Sequence, residues 1–488
     1  MGIKRYTANA DNTITNAYKS NLTTRGTGSN MGLSDSMEVF RIYGQQDSGS
    51  SELSRVLVQF PISDITTDRT NGVVPASGNV SFYLRMFNAK HPFTLPRGYS
   101  MIAASISRAW NEGTGLDMEN YSDAGASNWI EASSASSGVT NWSAAGGDYH
   151  AEPRFTASFA NGTEDIEVDI SDAVERWIAG SHTNYGVGVF LQDEAAFSSS
   201  YTKKFFTRDS EFFFKRPVIE ARWDSTKRDD RGNFFFSSSL ATSEDNLNTL
   251  FLYNYVRGRL RNIPDIGTGS IYVSIYSGSA DNSAPSGSRI VKVQDGTHVI
   301  TANPYVITGG YFATGTYTAS FSLTSAANPL TTAFDVWHSG TTQYNTSSFI
   351  PSKLDAHAYT PYSKYVINIT NLRDRYYRNE TAQFRLYTRN KDWTPTIYVK
   401  ASAVPENLII DSGSFKIVRL VDNFEVIPFG TGSENHTQLS FDNSGSYFDL
   451  DMTLLQADYA YGVKFAFYDD AAKSWNEYPD IFKFRVEE

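Results

Sequence analysis

The chain is dominated by short runs in which apolar and polar side chains alternate. In SRVLVQF, Val56 and Val58 face one side of an extended chain, whereas Leu57 and Gln59 face the other. Period-two runs of this length, bounded by Gly, Ser, Asn and Asp, predict β-strands. The same pattern recurs in NVSFYLRMF, YGVGVFL, SIYVSIY, KYVINIT, AQFRLYTR, TIYVKA, FKIVRLV and YGVKFAFY. Many strands with few helices between them predict an all-β protein of tandem β-sandwich domains with antiparallel sheets.

One segment has helical periodicity instead. In DISDAVERWIAG, Ile170, Val174, Trp177 and Ile178 recur at a spacing that places them on one helix face. Gly180 is suited to end this helix, because glycine readily adopts the left-handed conformation at a helix C-terminus. We therefore predict one short helix, in the first domain. The segment SEDNLNTLFLYNYVRGRL, residues 243–260, fits a helix and a strand equally well, and its assignment stays open.

Length and local composition predict three domains. At about 150 residues per domain, a chain of 488 residues corresponds to about three. The polar run DSTKRDDRGN, residues 224–233, predicts a linker or turn, and a second break lies where Pro351 and Pro361 bracket a stretch without alternation. The expected domains are residues 1–225, 226–360 and 361–488.

The composition excludes several classes of function. The absence of cysteine excludes disulfides, thiolate catalysis and cysteine-based zinc sites. The 42 basic and 53 acidic residues give a net charge of −11, which disfavours non-specific binding to nucleic acid and anionic membranes. No window approaches about 18 consecutive apolar residues, and the segment MGIKRYTANADNTITNAY lacks the apolar region of a signal peptide. We therefore expect no nucleic-acid partner, no membrane insertion, and synthesis in the cytoplasm without a signal peptide.

Residues 8–223 resemble the DNRLRE family, a β-sandwich related to carbohydrate-binding modules. The segments that carry the resemblance occur in the family's order: NTITNAY, NMGLSD, SRVLVQFPISDI, NVSFYLRMF, SRAWNEGTG, EVDISDAVERWIAG, NYGVGVFL and TRDSEFFFKRPVIEARW. Pro61 departs from the family, which has an acidic residue after the strand phenylalanine, and the loops are longer. The resemblance implies a sandwich of the jelly-roll or carbohydrate-binding-module type and an ancestral sugar-binding surface, but it identifies no ligand.

The last segment, residues 361–488, resembles immunoglobulin-like or fibronectin-like domains. In LLQADYAYGVKF, Leu455 precedes Tyr461 by six residues. This spacing is similar to the tyrosine corner of such domains, in which the tyrosine hydroxyl returns to the backbone. The middle segment predicts a sandwich of uncertain family. The whole chain, which is large, cysteine-free and rich in Ser, Thr and Asn, resembles structural proteins of tailed marine bacteriophages. That resemblance implies a location in the virion.

Candidate binding and catalytic residues cluster in the first domain. Trp129 and Trp142 flank the Ser-rich segment EASSASSGVT, which is predicted to be a surface loop or a small disordered insert. An exposed indole can stack on a sugar ring, so these two are the sugar-binding candidates; burial against neighbours in an assembly is the alternative. Glu112, Asp117 and Glu119 lie close together in sequence and are the candidates for the paired carboxylates that hydrolysis of a glycosidic bond requires. The resemblance, however, implies a packing role for Glu112.

The sequence contains no recognisable metal or nucleophile motif. Its seven histidines form neither HxH nor HExxH, and none is next to another. Glycine-rich strings such as GTGSN lack the lysine of a P-loop. We therefore expect no catalytic residue, no metal site and no cofactor.

The pattern also predicts contacts between chains. Phe213 and Phe235 lie in the aromatic triplets of FFFKRPVIE and GNFFFSSS. Strict alternation would direct some of these rings outward. An exposed phenylalanine loses the favourable free energy of burial, so we expect the outward rings to contact another chain or domain, and Phe213 and Phe235 are the interface candidates. SIYVSIY and YGVKFAFY carry few of the Lys and Pro residues that protect open sheet edges, and they are the predicted edge strands.

Three functions are compatible with these observations. The first is a structural protein of a phage virion, at the neck, tail, baseplate or head surface, which binds other virion proteins and copies of itself as an oligomer. The second is a receptor- or polysaccharide-binding virion protein whose partner is a host surface glycan. The third is a polysaccharide-degrading enzyme, which requires a carboxylate cleft. We expect the first function, made in the host cytoplasm and without enzymatic activity.

Overall fold

The computed structural model describes residues 1–90, 97–119, 126–135, 138–195, 201–277, 293–294, 299–300, 306–323, 330, 332–354, 364–391, 407–470 and 472–488. The chain divides into two compact units, residues 2–224 (the first unit) and residues 225–488 (the second unit). The predicted boundary, between residues 225 and 226, differs by one residue from this division, which lies between residues 224 and 225. The predicted boundary near residue 360 lies outside the described residues.

The described part of the first unit consists of β-strands and two short helices. The helices are α1 (Ile62–Thr70) and α2 (Ser171–Ala179). The strands are β1 (Ile3–Thr7), β2 (Ala10–Thr15), β3 (Ser36–Tyr43), β4 (Ser51–Gln59), β5 (Ser81–Met86), β6 (Tyr99–Ile106), β7 (Glu131–Ala135), β8 (Gly138–Asn141), β9 (Tyr149–Phe159), β10 (Ile166–Asp169), β11 (Val187–Leu191), β12 (Tyr201–Phe206) and β13 (Val218–Arg222).

These strands form two main antiparallel sheets that face each other. One sheet has the order β1-β13-β5-β10, and the other has the order β12-β3-β4-β11-β6-β9, with β2 pairing to β4. Alternate side chains of both sheets, such as Val56 and Val58 of β4 and Phe82 and Leu84 of β5, meet in one buried core. The prediction of an all-β fold of sandwich type is therefore confirmed.

Helix α2 has the predicted position and buried face. Ile170 and Val174 are fully buried, Trp177 is almost so, and Ile178 packs partly against the same core. Gly180 ends the helix in the left-handed conformation, with φ of +74°. The prediction of one helix was incomplete, because α1 follows directly after Pro61 and buries a single apolar residue, Ile65. In the described residues, no helix is both long and apolar enough to cross a membrane.

The described residues of the Ser-rich segment, 131–135 and 138–140, lie in two paired strands. Strands β7 and β8 pair antiparallel, with Glu131 opposite Asn141. The prediction of a surface loop was therefore wrong in this detail. Trp142 N donates to Ile130 O at 3.0 Å, just beyond the paired residues Glu131 and Asn141.

The described part of the second unit contains strands only, apart from short 3-10 turns. They are β14 (Asn248–Tyr253), β15 (Tyr255–Val256), β16 (Arg259–Leu260), β17 (Ile271–Ser277), β18 (Val293–Gln294), β19 (Val299–Ile300), β20 (Ile307–Ala313), β21 (Thr316–Leu323), β22 (Ala333–Ser339), β23 (Thr342–Phe349), β24 (Tyr365–Ile369), β25 (Arg375–Tyr377), β26 (Thr381–Asn390), β27 (Gly413–Arg419), β28 (Phe424–Ile427), β29 (Ser440–Asp442), β30 (Gly445–Asp451), β31 (Ala460–Asp469), β32 (Ser474–Glu477) and β33 (Phe482–Glu487).

Strands β14 and β17–β23 form one sheet, which we call the middle sheet. Its order is β19-β18-β21-β20-β17-β22-β23, with β14 pairing to β21. Side chains from distant strands, including Leu250, Val273 and Trp337, pack into a single core, so the sheet curls around that core. The open assignment of residues 243–260 is resolved as a turn followed by strands β14 to β16, and Leu250 and Leu252 of β14 enter the core.

The strands after residue 364 form two sheets. Their orders are β24-β26-β30-β29 and β25-β33-β31-β27-β28, with β32 pairing to β31. The predicted tyrosine corner is confirmed in its geometry. The Tyr461 hydroxyl donates to Gln456 O at 2.7 Å and accepts from Gln456 N at 3.0 Å, and the ring is fully buried.

The predicted edge strands are not edges. SIYVSIY corresponds to β17, which lies between β20 and β22, and YGVKFAFY corresponds to β31, which pairs with β27, β32 and β33. Both strands carry few Lys and Pro guards, and both of their edges are covered by neighbouring strands; Lys464 of β31 forms an ion pair with Glu477 of β32. A scarcity of guards therefore indicated central strands here, where protection against pairing is unnecessary.

The predicted linker at residues 224–233 is largely an ordered part of the second unit. We call residues 227–236 the strap. On one side Asp229 N donates to Phe441 O at 3.1 Å and Phe441 N donates to Lys227 O at 3.0 Å. On the other side Thr249 N donates to Asp230 Oδ2 at 2.6 Å. The strap thus links the middle sheet to the sheets that follow residue 364.

Candidate functional site

The tryptophans of the first unit form a second apolar layer outside the sandwich core. Side chains on the outer face of the β2-β4-β6 region, including Leu57 and Ile106, are covered by Trp110, Trp129 and Trp142. The segment that carries these rings folds back over the sheet, which is therefore apolar on both faces. Alternation along β4 reflects this arrangement, because Val56 and Val58 point into the main core while Leu57 points into the tryptophan layer.

The two sugar-binding candidates are buried in this layer. Trp129 is 6% exposed and Trp142 is 5% exposed. Trp142 Nε1 donates to Asn128 O at 2.8 Å, and Gly146, with φ of +96°, approaches Trp129 so closely that a Cβ there would lie 2.9 Å from the ring. Stacking on a sugar requires an exposed ring face. Both rings are buried within the first unit itself, so neither offers the exposed face that stacking on a sugar requires, and no neighbouring chain is needed to cover them.

Arg55 is the charged group at the margin of the tryptophan layer. Its guanidinium lies 5.4 Å from the Trp129 ring centre and 5.1 Å from that of Phe190, which are cation–π distances. It also makes a bidentate ion pair with Glu194, at 2.9 and 2.6 Å, and donates to Gly146 O at 2.8 Å. The Arg55 guanidinium therefore covers the margin of the tryptophan layer, and its charge is paired with that of Glu194. Sequence reasoning missed it, because residues 55, 129, 190 and 194 share no local pattern.

The carboxylate singled out in the sequence belongs to a partly buried polar cluster. We call Asp11, Asn30, Glu112 and Arg208 the polar clamp. Arg208 Nε and Nη2 donate to the two Glu112 carboxylate oxygens at 2.6 and 2.8 Å. Glu112 Oε1 also accepts from Asp11 N at 2.7 Å, and Asp11 Oδ2 accepts from Arg208 N at 2.6 Å. Three segments that are far apart in sequence are thereby fixed to one another.

Asn30 completes the clamp by joining two loops. Its Nδ2 donates to Glu112 O at 2.6 Å, and its Oδ1 accepts from Gly115 N at 2.8 Å. Gly115 must be glycine here, because a Cβ would lie 2.0 Å from Asn30 O. The segments NMGLSD, SRAWNEGTG and TRDSE, which carried part of the family resemblance, therefore meet in one structural feature.

The clamp contains a carboxyl group with an unusual ionisation. Burial raises the pKa of Asp11 to about 7, against the opposing hydrogen bond from the Arg208 backbone. A pKa near neutrality suits a general acid or base. Asp11, however, is only 1% exposed, so a substrate has no route to it. Asp117 and Glu119, the other two carboxylates, accept backbone hydrogen bonds from Glu119 N and Ser20 N in an exposed loop. The geometry favours a structural role for all of them.

The raised pKa predicts a pH dependence for Asp11→Asn. Because the folded pKa of about 7 exceeds the ordinary value of 3.8, the stability that protonated Asp11 contributes is fully present below pH 4 and is lost as the pH rises through 7. Asparagine keeps an acceptor for Arg208 N and does not ionise. We expect the variant, relative to the natural chain, to gain on the order of 2 kcal/mol between pH 5 and pH 8. Calorimetric unfolding at both pH values measures this difference.

A matched control for this prediction is Glu211→Gln, which removes an exposed carboxylate from the same unit. Its stability difference should not change between pH 5 and pH 8. A similar gain for both variants would show that net charge, and not the burial of Asp11, governs the effect.

The histidines are more clustered than the sequence suggested. The rings of His150 and His182 stack with their centres 3.8 Å apart and their planes 5° from parallel. Burial lowers the pKa of His150, and the adjacent His182 adds to that shift. His91, His298 and His357 lie outside the described residues. Within the described ranges, no group of three His, Cys, Asp or Glu side chains could hold a metal ion.

The two interface candidates occupy half-buried positions. Phe213 lies in a 3-10 turn, Phe213–Lys215, and not in a strand, so strand alternation does not apply to it. Its neighbour Phe212 is 54% exposed. Phe235 lies in the strap between Phe234 and Phe236, which enter the core of the middle sheet. Whether Phe213 and Phe235 meet another chain stays a prediction.

Comparisons with known proteins give no family for this chain. No family model matches the sequence, and no curated protein matches it. One matching solved structure is the crystal structure of Salmonella alpha-2-macroglobulin reacted with methylamine, with 8% sequence identity and a TM-score of 0.15. The alignment covers 99% of this chain and 26% of that chain, so the chain spans about a quarter of its length. A TM-score this low carries no argument about fold or function.

Proposed function

We propose that this chain is a structural component of a tailed-phage virion that acts by binding other virion proteins, without catalysis. The candidate groups for sugar binding and catalysis in the first unit are committed to internal contacts, as shown for Trp142 and Glu112. Binding by an exposed surface fits these observations better than chemistry in a cleft. The resemblance of the whole chain to structural proteins of tailed marine bacteriophages is the reason for proposing the virion as its location.

The observation that carries this proposal is a set of exposed apolar side chains on two adjacent turns at one end of the middle sheet. Tyr255 is 62% exposed and Val256 49% exposed on the β15–β16 hairpin, and Phe312 of β20 is 42% exposed. Asn254 N donates to Gly315 O at 2.7 Å, which holds the hairpin beside the turn that follows β20. Large apolar side chains grouped on a surface are typical of protein–protein contact sites, where aromatic residues are enriched.

The proposal is tested by the double variant Tyr255→Ser and Val256→Ser. Both side chains are exposed, so we expect the unfolding temperature to stay within the small range of surface substitutions. We expect incorporation into purified virions, measured by quantitative mass spectrometry against other virion proteins, to fall strongly. The matched control is Leu240→Ser, which removes a side chain that is 67% exposed on a different turn and should leave incorporation unchanged.

Two results would contradict the proposal. One is the absence of the chain from purified virions while it is abundant in the lysate. The other is equal incorporation of the natural chain and the double variant into virions. If the double variant instead loses binding to a purified host polysaccharide, the receptor- or polysaccharide-binding alternative becomes the better account, since Tyr255 also presents an exposed ring.

A further inference from the structure

The described sheets have two long edge strands, and these differ in how they are protected. Strand β9 has eleven residues and lies at the end of its sheet, and β23 has eight residues and lies at the end of the middle sheet. An edge strand exposes backbone N–H and C=O groups that can pair with another chain, and natural proteins usually block this with charge, proline or bulges.

Strand β9 carries such guards, whereas most of β23 does not. In β9, Glu152, Pro153 and Arg154 stand in the middle of the strand. Strand β23 reads TQYNTSSF and contains neither a charged residue nor a proline. Its one guard is a bulge at Tyr344, since Trp337 pairs with Asn345 and His338 pairs with Gln343. The segment from Asn345 to Phe349 continues in regular register beyond the bulge.

The outer edge of β23 has no partner in the described part of the chain. Residues 342–349 pair with β22 on one side, and among the described residues their backbone makes no other hydrogen bond. Just after the strand, Ser352 bonds to Phe234 and Phe236 of the strap. The strand is also accessible, because Thr342, Gln343 and Thr346 are exposed. Directly after the strand, Ile350 is 68% exposed. The site therefore combines open backbone groups with an adjacent apolar side chain.

We propose that β23 is a self-association site, at which the edges of two copies of this chain pair antiparallel across a two-fold axis. The inference rests on the assembly function proposed above and names the partner as a second copy. In a two-fold contact each strand meets itself, so a charge on the strand would meet the same charge. Edge strands β1 and β12 carry Lys4, Arg5 and Lys204, which would repel their own copies, whereas β23 is neutral.

The geometry of such a contact defines what each part contributes. Antiparallel pairing satisfies the outward backbone groups of residues 345–349 with those of the second copy. The exposed Ile350 of each copy would be covered by the other, which adds apolar burial. The bulge at Tyr344 sets the limit of the paired segment, because it turns the strand away from a straight edge.

The test uses opposite charges at one exposed position of the full chain. Sedimentation velocity over a range of concentrations measures self-association of the natural chain and of Thr346→Lys and Thr346→Glu. Pairing of residues 345–349 with themselves places Ser347 on the axis and the two residues at position 346 diagonally across it, so we expect each variant to associate more weakly by roughly tenfold because like charges repel. Mixing the two variants should restore association, since Lys then lies diagonally across from Glu. A structural role of Thr346 alone would not produce this restoration.

The matched control is Thr156→Lys on β9, an exposed threonine on the other long edge. It should leave association unchanged. The inference is overturned if the natural chain is monomeric at all concentrations, if Thr346→Lys associates as the natural chain does, or if the mixture fails to recover. None of these results affects the virion proposal, which depends on incorporation. Conversely, a chain absent from virions that still dimerises through β23 would overturn the virion proposal alone.

Discussion

Replacing Glu220 by glutamine is expected to destabilise the first unit by about 3–5 kcal/mol. Glu220 has no exposed surface, and its carboxylate meets Arg5 at 2.6 Å, Arg222 at 2.6 Å and Arg85 at 3.2 Å. Burial alone would raise the pKa of Glu220, but the three guanidinium groups outweigh it and hold that pKa well below its usual range. Glutamine keeps the shape but leaves three largely buried cations without their shared anion.

The matched control for this prediction is Glu167→Gln. Glu167 pairs with Arg222 at 2.7 Å and with Arg85 at 3.5 Å, but its side chain is 41% exposed. Water can replace much of that interaction, so we expect a loss of less than about 1 kcal/mol. Calorimetry of the full chain, with hydrogen exchange in β13 to assign the transition, measures both variants. Equal losses would show that burial of the shared anion is not the cause.

The second large effect is expected from Arg231→Met in the strap. Arg231 donates to the two carboxylate oxygens of Asp335 at 2.5 and 2.8 Å, and Asp335 has no exposed surface. Methionine fills similar volume but leaves a buried carboxylate whose remaining partner is Trp337 Nε1, at 2.7 Å. We expect the second unit to lose about 3–5 kcal/mol, because an uncompensated buried charge remains.

The decisive measurement is hydrogen exchange of the backbone amides of residues 227–236. In Arg231→Met we expect the strap to lose protection against exchange, because its ion pair to Asp335 is missing. The control is Arg228→Met at the neighbouring, exposed position, for which we expect less than about 1 kcal/mol. A strap that stays equally protected in Arg231→Met would contradict the role assigned to this ion pair. Early cleavage within residues 227–236 in the natural chain would do the same.

Local features of the chain were predictable where neighbouring residues alone decide the conformation. Alternation identified β4 and β5, and the 3.6-residue spacing from Ile170 to Ile178 identified α2. The tyrosine corner was found because Tyr461 bonds to Gln456, five residues away. Helix α1 was missed, because a helix that buries only Ile65 has almost no apolar stripe.

The site residues were harder to predict because their partners are remote. Trp129 and Trp142 were expected to be exposed on the basis of their polar flanks, but those flanks fold over the sheet and the rings face inward. Glu112 was recognised as a carboxylate of interest, yet its partner Arg208 is 96 residues away in the chain. No local pattern specifies such a pair.

The sequence by itself determined the all-β class, the face of each strand that is apolar, and the one clear helix, because these depend on the period of side chains along a local segment. The tertiary structure alone decided which strands are central and which are edges. SIYVSIY was expected at an edge but lies between two strands, whereas TQYNTSSF, which drew no attention in the sequence, forms the open edge β23. The physical reason is that a strand's side chains record which face is buried, while its edge is lined by backbone groups that are the same in every residue.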